Sequence, residues 1–131
     1  MKPDLMVIDD DEIIWVLIKD MLQDLDLVGR LSTFSDGDAA LNHLKSLNTA
    51  APPLIVLDLN LPFMNGFEFL AAYAESLYPR FPETRVHILT SSVRDSDRQQ
   101  TLKYPFVKSF LTKPLKIEQL KAILNQHPPG A

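Results

Sequence analysis

The sequence predicts an α/β fold of the (βα)5 type, in which five parallel strands form a doubly wound sheet in the order 2-1-3-4-5. Short apolar runs alternate with amphipathic segments from one end of the chain to the other. This alternation is typical of a parallel sheet covered by helices on both faces. The apolar runs show no polar–apolar alternation, which indicates strands buried on both sides. Right-handed crossovers then leave few arrangements of the five units.

The elements follow in order along the chain. The five predicted strands are the apolar runs near residues 4–9, 28–34, 54–58, 85–90 and 106–111. The segments between and after them, about 12–25, 36–47, 65–77, 94–103 and 115–126, are predicted helices. An open sheet of this kind, with its helices on both faces, is the flavodoxin-like arrangement.

Periodicity and capping support the individual helices. In the first helix, apolar residues recur every three or four positions from Ile14 to Leu25, which gives one buried stripe. Ser35, with acidic residues directly after it, is the predicted N-cap of the second helix. The fourth helix is the weakest, because the only large apolar residues between Ser92 and Lys103 are Val93 and Leu102. We expect it to be the most mobile helix.

Composition and charge bound the possible functions. A chain of 131 residues with 46% hydrophobic and 23% charged residues is expected to form one domain, over residues 1–126, followed by a disordered tail at 127–131. The net charge of −4 and the lack of a basic cluster argue against nucleic acid as a partner. The absence of cysteine excludes disulfides, thiol catalysis and cysteine-ligated zinc. No signal-peptide pattern or membrane-length apolar run appears, so a cytoplasmic protein without a membrane partner is expected.

Polar residues stand at the carboxyl ends of four predicted strands. Asp9 and Asp10 follow the first strand, Asp58 ends the third, Thr90 ends the fourth and Lys113 follows the fifth. In an open α/β sheet, ligands bind at this edge of the strands. Each residue alone would more often be a turn or cap residue, but all five at one edge predict an active site.

The chemistry of these residues points to phosphoryl transfer. Two like charges about 4 Å apart repel by roughly 1–4 kcal/mol at surface-like dielectric constants, so three neighbouring carboxylates predict a bound cation. Ligation by carboxylate oxygens suits Mg²⁺ or Mn²⁺. Asp58 is then the predicted nucleophile. Lys113 and the metal would neutralise charge on the phosphoryl oxygens, and Thr90 would donate a hydrogen bond to one of them.

Five short segments carrying these residues strongly resemble the receiver domain of bacterial two-component response regulators, and the resemblance covers nearly the whole chain. The matching segments are Val7-Ile8-Asp9-Asp10-Asp11, Ile55-Val56-Leu57-Asp58-Leu59-Asn60-Leu61-Pro62, Asn65-Gly66, Leu89-Thr90-Ser91 and Phe110-Leu111-Thr112-Lys113-Pro114-Leu115. We therefore expect a stand-alone, single-domain protein similar to chemotaxis response regulators. Such a protein would act by binding a partner or by passing the phosphoryl group on.

The resemblance implies roles for the matched residues. A histidine kinase or a histidine phosphotransfer protein would donate its phosphoryl group to Asp58. The metal would be held directly by Asp10 and Asp58, through water by Asp9, and by the Asn60 carbonyl.

A switch is also implied by the resemblance. Thr90 would move toward the phosphoryl group and let Phe110 turn inward, which reshapes the face formed by the fourth helix, fifth strand and fifth helix. Phe110 lacks the hydroxyl of the tyrosine found in some family members, so it could prefer the buried position without phosphorylation. The Lys113–Pro114 bond resembles the family's cis peptide bond.

The first helix carries a candidate docking site for the donor. Val16 lies opposite the apolar stripe of this helix and Ile13 lies on its flank. In receiver domains the kinase docks on this helix, so Ile13 and Val16 are predicted to contact the donor. The alternative is an exposed valine without a function.

Two other functions fit parts of the sequence. A phosphatase of the haloacid dehalogenase type would use Asp9 and Asp11 as a D-x-D signature, but that class also needs an acidic pair after the lysine, which is missing here. A pseudo-receiver that binds partners constitutively would normally have lost one of the acidic residues. A phospho-accepting signalling domain, rather than an enzyme, is the preferred interpretation.

Overall fold

The computed structural model of the chain describes residues 2–48 and 51–125 and has the predicted (βα)5 fold. Five parallel strands form one sheet in the order β2-β1-β3-β4-β5. The elements are β1 Leu5–Ile8, α1 Glu12–Gln23, β2 Leu31–Phe34, α2 Gly37–Ser46, β3 Leu54–Leu57, α3 Gly66–Ser76, β4 Arg85–Thr90, α4 Asp95–Leu102, β5 Val107–Thr112 and α5 Ile117–Asn125. The described helices include none that is long and apolar enough to cross a membrane.

The boundaries agree with the predictions to within about three residues. The largest difference is the start of β2, which is Leu31 and not residue 28. The Gly29 N–H donates to the carbonyl of Pro3 at 2.9 Å and lies before the strand ladder. Residue 126, which was predicted to end the last helix, and the predicted tail at 127–131 lie outside the described residues.

Two apolar layers hold the sheet between its helices. Every residue of β1 and β3 is buried, which confirms that the unalternated runs are strands covered on both faces. Alternate residues contribute to opposite layers: Met6 and Ile8 pack toward α2 and α3, whereas Leu5 and Val7 pack toward α1 and α5. The outer strands β2 and β5 are mostly half-buried, because each lies at an edge of the sheet.

Side-chain caps fix the starts of three helices next to the carboxyl edge of the sheet. Asp11 caps α1 by accepting from the Ile13 N–H at 3.0 Å. The N-cap of α2 is Asp36, which accepts from the Ala39 N–H at 2.7 Å. The prediction of Ser35 at this position was wrong by one residue, since the backbone turns helical only after Asp36. A capping box begins α3, and together these caps order the loops that follow β1, β2 and β3.

The fourth helix is weakly anchored, as its composition predicts. Thr101 is the one buried residue that α4 contributes, and the N-cap residue Arg94 makes no capping hydrogen bond with its side chain. Val93 precedes the helix and is 84% exposed, so it does not anchor the segment. A 2.6 Å hydrogen bond from the Ser92 hydroxyl to Asp97 ties the first turn to the preceding loop. High mobility of α4 stays a prediction.

His87 is a packed strand residue and gives the fold a pH-dependent stability. Its side chain is 1% exposed, and its Nδ1 lies 2.7 Å from the Ser109 hydroxyl on β5. Burial lowers the pKa of His87 from 6.5 to about 4, with a smaller contribution from the positive charges of Arg85 and Lys108. The folded protein therefore holds this imidazole neutral in a range where the unfolded chain protonates it.

The consequence is a loss of stability as the pH falls through this range. Between about pH 6.5 and pH 4 the unfolded chain binds up to one proton more than the folded chain at this residue, so the folded state should lose about 3 kcal/mol by pH 4. His87→Asn keeps a hydrogen-bonding group for Ser109 and removes the titration. Urea unfolding at pH 7, 5.5 and 4 should show a steeper loss for the wild type than for the variant. Parallel pH profiles for the two proteins would contradict the prediction.

Candidate functional site

Three carboxylates meet at the carboxyl edge of the sheet. Asp9 and Asp10 follow β1, Asp58 follows β3, and these two strands are neighbours. One oxygen from each residue lies within 4.8 Å of the others. Asp9 is 2% exposed and Asp58 4% exposed, whereas the Asp10 side chain is open to solvent. The pocket is therefore recessed and acidic, and a cation can enter it from the Asp10 side.

Backbone N–H groups orient the two buried carboxylates, and an indole N–H fixes the backbone of one of them. The Asp9 Oδ1 accepts from the Asp11 N–H at 2.9 Å, and the Asp58 Oδ1 accepts from the Asn60 N–H at 3.3 Å. The Trp15 indole N–H donates to the Asp9 carbonyl oxygen at 2.9 Å. This last contact fixes the backbone of Asp9 against α1. It was not predicted, because a carbonyl acceptor leaves no mark in the sequence.

Lys113 reaches both buried carboxylates from the loop after β5. Its Nζ lies 2.9 Å from the Asp9 Oδ2 and 3.3 Å from the Asp58 Oδ2. The Lys113 N–H donates to the Thr90 carbonyl at 2.8 Å, and the Lys113–Pro114 bond is cis, as the resemblance implies. The long side chain thus spans from the edge strand to the centre of the sheet.

Burial and the neighbouring charges shift the pKa values of Lys113 and Asp9 in opposite directions. Burial alone would lower the pKa of Lys113, but its hydrogen bonds and charge interactions with Asp9 and Asp58 outweigh burial and raise that pKa. Burial also raises the pKa of Asp9, in spite of the hydrogen bond from Lys113. Lys113 is consequently an ammonium ion at neutral pH. Its single positive charge faces two buried carboxylates. The pocket therefore keeps an excess of negative charge, which a further cation can neutralise.

Thr90 and Phe110 share one face of the sheet. Thr90 is fully buried at the end of β4, where its Oγ1 accepts from the Ser92 N–H at 3.3 Å. Ile88 pairs with Phe110 in the β4–β5 register, and both contribute to the same apolar layer. Phe110 is half-buried, with the Arg98 guanidinium 6.0 Å from its ring centre. The two residues of the predicted switch therefore lie on neighbouring strands beside α4.

The predicted docking residues lie on the outer surface of α1. Ile13 is 73% exposed and Val16 58% exposed, in agreement with the helical period. Neither side chain belongs to the pocket, but α1 begins three residues after Asp9. The sequence reasoning did not single out Phe63 or the bond between Ser92 and Asp97. Both depend on loop conformations that follow from packing.

The fold and pocket can be compared with known proteins. The family model for the "Response regulator receiver domain" matches residues 5–125. The probable methanogenesis regulatory protein FilR2 of Methanothrix harundinacea is 30% identical over 125 residues, which cover 93% of this chain and 79% of that protein.

Solved structures give the same result. A two-component response regulator from Cytophaga hutchinsonii superposes with a TM-score of 0.87 at 27% identity, covering 96% of this chain and 97% of that one. The phosphorylated cyanobacterial phytochrome response regulator RcpA superposes with a TM-score of 0.78 at 26% identity, covering 96% and 91% of the two chains.

Proposed function

The chain belongs to the response regulator receiver domain family, and from this premise we propose that it accepts a phosphoryl group on Asp58 from a histidine kinase or a histidine phosphotransfer protein. The observation that carries the proposal is the position of the Asp58 carboxylate. It lies 4% exposed, 3.3 Å from the Lys113 ammonium and within a cluster of three carboxylates. This is a nucleophile beside positive charge, at the edge of the sheet where α/β proteins bind ligands.

The donor set fits a divalent metal. Oxygen atoms of Asp9, Asp10 and Asp58 converge within 4.8 Å, and carboxylate oxygens are the ligands that Mg²⁺ and Mn²⁺ prefer. We propose Asp10 and Asp58 as direct ligands, Asp9 through water, and the Asn60 carbonyl as a further ligand. A bound metal would supply positive charge that stabilises the negative charge of the phosphoryl group. Three carboxylates, one divalent cation and Lys113 then sum to zero charge.

The transfer step follows from the arrangement of the protein's own groups. A carboxylate oxygen of Asp58 supplies the electron pair for a new O–P bond while the P–N bond to the donor histidine breaks. The electrons of that bond return to the imidazole nitrogen, which leaves with the donor protein. The Lys113 ammonium stabilises charge on the phosphoryl oxygens, and the Thr90 hydroxyl would donate to one of them after it turns away from Ser92.

The bonds around Thr90 suggest how the signal would leave the pocket. Thr90 Oγ1 accepts from the Ser92 N–H, and the Ser92 hydroxyl donates to Asp97 in the first turn of α4. A movement of Thr90 toward a phosphoryl group would break the first bond and disturb the second. Phe110 would then turn inward, away from Arg98. We therefore propose the face formed by α4, β5 and α5 as the output surface for a downstream protein.

The other two functions are not favoured. Asp11, the second acid of the D-x-D pattern, caps α1 and is not among the three residues of the acidic cluster. That class also needs an acidic pair after the lysine, and Glu118 is the only acidic residue that follows Lys113 in the sequence. A constitutive pseudo-receiver is disfavoured because the acidic cluster and Lys113 are all present.

The test of the proposal is an intact-mass measurement after incubation with acetyl phosphate and Mg²⁺. We expect one phosphoryl adduct, which EDTA prevents and hydroxylamine removes, since acyl phosphates react with hydroxylamine and phosphoesters of threonine do not. Should no adduct form, binding of BeF₃⁻ with Mg²⁺ tests the same pocket, because it requires no transfer of a phosphoryl group. Failure of both reagents would overturn phospho-acceptance and favour the pseudo-receiver.

The docking role of α1 gives a separate prediction. Val16→Glu places a charge on the predicted contact and should lower the rate of phosphotransfer from a histidine kinase roughly tenfold relative to the rate from acetyl phosphate, equivalent to about 1.4 kcal/mol. Gln23→Glu adds the same charge at the exposed far end of α1 and serves as the matched control. An unchanged ratio of the two rates in Val16→Glu would remove Val16 from the docking surface.

A further inference from the structure

The exposed large hydrophobic residues of the described chain lie in the loops and the first turns of the helices that follow the carboxyl ends of the strands. These residues are Ile13 (73% exposed), Val16 (58%), Phe63 (93%), Val93 (84%) and Ile117 (36%). Four of them follow a pocket residue by three to five positions, and Val16 lies one helical turn beyond Ile13. Among the described residues, none of this set lies at the opposite edge of the sheet. We call these five residues the apolar rim.

Phe63 is the member that the fold itself explains least. Its φ is 64°, a left-handed conformation that disfavours bulky side chains, and Asp26 is the other described non-glycine residue with a positive φ. The ring is 93% exposed, so it gains almost no burial in return. Glycine would adopt the same backbone conformation more readily. Folding therefore provides no reason for an aromatic residue here.

The loop around Phe63 is pinned on both sides. Leu61 is buried, and Met64 packs against the apolar layer that contains α2 and α3. The Gly66 N–H donates to the Leu59 carbonyl at 3.0 Å and closes the loop. Leu61 is buried and Met64 half-buried, whereas Pro62 and Phe63 between them are exposed and project outward from the segment that begins at Asp58. The ring is consequently held in a defined place on the rim.

We propose that Phe63 is a contact and specificity residue for the protein phosphodonor, and that it extends the docking surface from α1 across the pocket mouth. The inference depends on the proposed function of Asp58. Because Asp58 is 4% exposed, a donor protein can bring a phosphohistidine to it only by laying its surrounding surface on the rim. A small donor such as acetyl phosphate enters without that contact. The matching donor surface is apolar around its phosphohistidine.

The test compares protein and small-molecule donors for two glycine variants. Phe63→Gly removes the ring and relaxes the backbone, while Asp26→Gly makes the same backbone change at an exposed loop at the other edge of the sheet. The probes are a panel of purified, autophosphorylated histidine kinases and phosphotransfer domains, of which the fastest donor to the wild type is used. The readout is the rate of phosphotransfer from this protein donor divided by the rate of phosphorylation by acetyl phosphate.

We expect Phe63→Gly to lower this ratio about tenfold without a lower free energy of unfolding, and Asp26→Gly to leave the ratio within twofold of the wild type. Equal ratios in all three proteins would overturn the role of Phe63. So would a wild type that is labelled by acetyl phosphate but by no protein of the panel. A chain that no donor of either kind can label would overturn phospho-acceptance itself, which separates the two failures.

Discussion

Asp58→Asn should abolish the phosphoryl adduct that forms with acetyl phosphate and Mg²⁺. The amide has nearly the shape of the carboxylate and can still accept from the Asn60 N–H, but it offers no anionic oxygen for the new bond to phosphorus. The expected loss is therefore complete. The free energy of unfolding should not fall, because the substitution removes one of three mutually repelling charges and Lys113 keeps its shorter 2.9 Å contact with Asp9. Intact mass and urea unfolding measure the two effects on the same samples.

Asp9→Asn is the matched control for this experiment. It removes the same charge from the same pocket, yet it leaves the proposed nucleophile in place. The Lys113 ammonium keeps its 3.3 Å contact with Asp58 in that variant. We expect a slower reaction with a higher Mg²⁺ requirement, and an adduct that still forms. The reverse pattern, with an adduct in Asp58→Asn and none in Asp9→Asn, would identify Asp9 as the phosphoryl acceptor. It would also revive the phosphatase hypothesis.

Gly66→Ala should destabilise the fold by about 3 kcal/mol, at the upper end of the usual cost of overpacking. A Cβ at this position would lie 2.6 Å from the Asp58 carbonyl oxygen and 2.7 Å from the Leu59 Cα. Both are backbone atoms of the loop that carries the proposed nucleophile, so neither can move without shifting Asp58. The higher helix propensity of alanine returns at most about 1 kcal/mol of this cost. Phosphorylation by acetyl phosphate should slow in the same variant.

Gly29→Ala provides the comparison for Gly66→Ala. A Cβ there would lie 2.8 Å from the Asp4 carboxylate, the end of a flexible side chain that can turn away, and 3.0 Å from the Lys2 carbonyl oxygen, which must move only a few tenths of an ångström. We expect a cost within about 1 kcal/mol, which urea denaturation can distinguish from the larger loss. Equal destabilisation by the two alanines would show that the clash of the new Cβ with the Asp58 backbone is not the cause of the lost stability.

Several features of the fold could be predicted because they depend on local pattern alone. The apolar runs of β1 and β3 contain no polar residue, which is the composition typical of a short strand covered on both faces. The acidic residues were predicted to meet because parallel strands all end at one edge, whatever the details of packing. The weakness of α4 could also be read from its few apolar residues.

Contacts between distant segments followed only from the tertiary structure. The helix cap at Asp36, one residue after the predicted Ser35, depends on where the backbone leaves β2. The bond from Trp15 to the Asp9 carbonyl joins a side chain to a backbone atom, and sequence does not encode such partners. The unusual position of Phe63 appears only when its φ and its exposure are both known.

The sequence by itself therefore determined the class of fold, the sheet order and the set of polar residues at the sheet edge. Their composition and their order along the chain are fixed by short-range chemistry. The tertiary structure decided how Lys113 divides its contacts between Asp9 and Asp58, how the bonds of Ser92 connect Thr90 to α4, and which apolar residues surround the pocket. These arise from the packing of loops against one another, and loop geometry depends on the whole fold and not on any one segment.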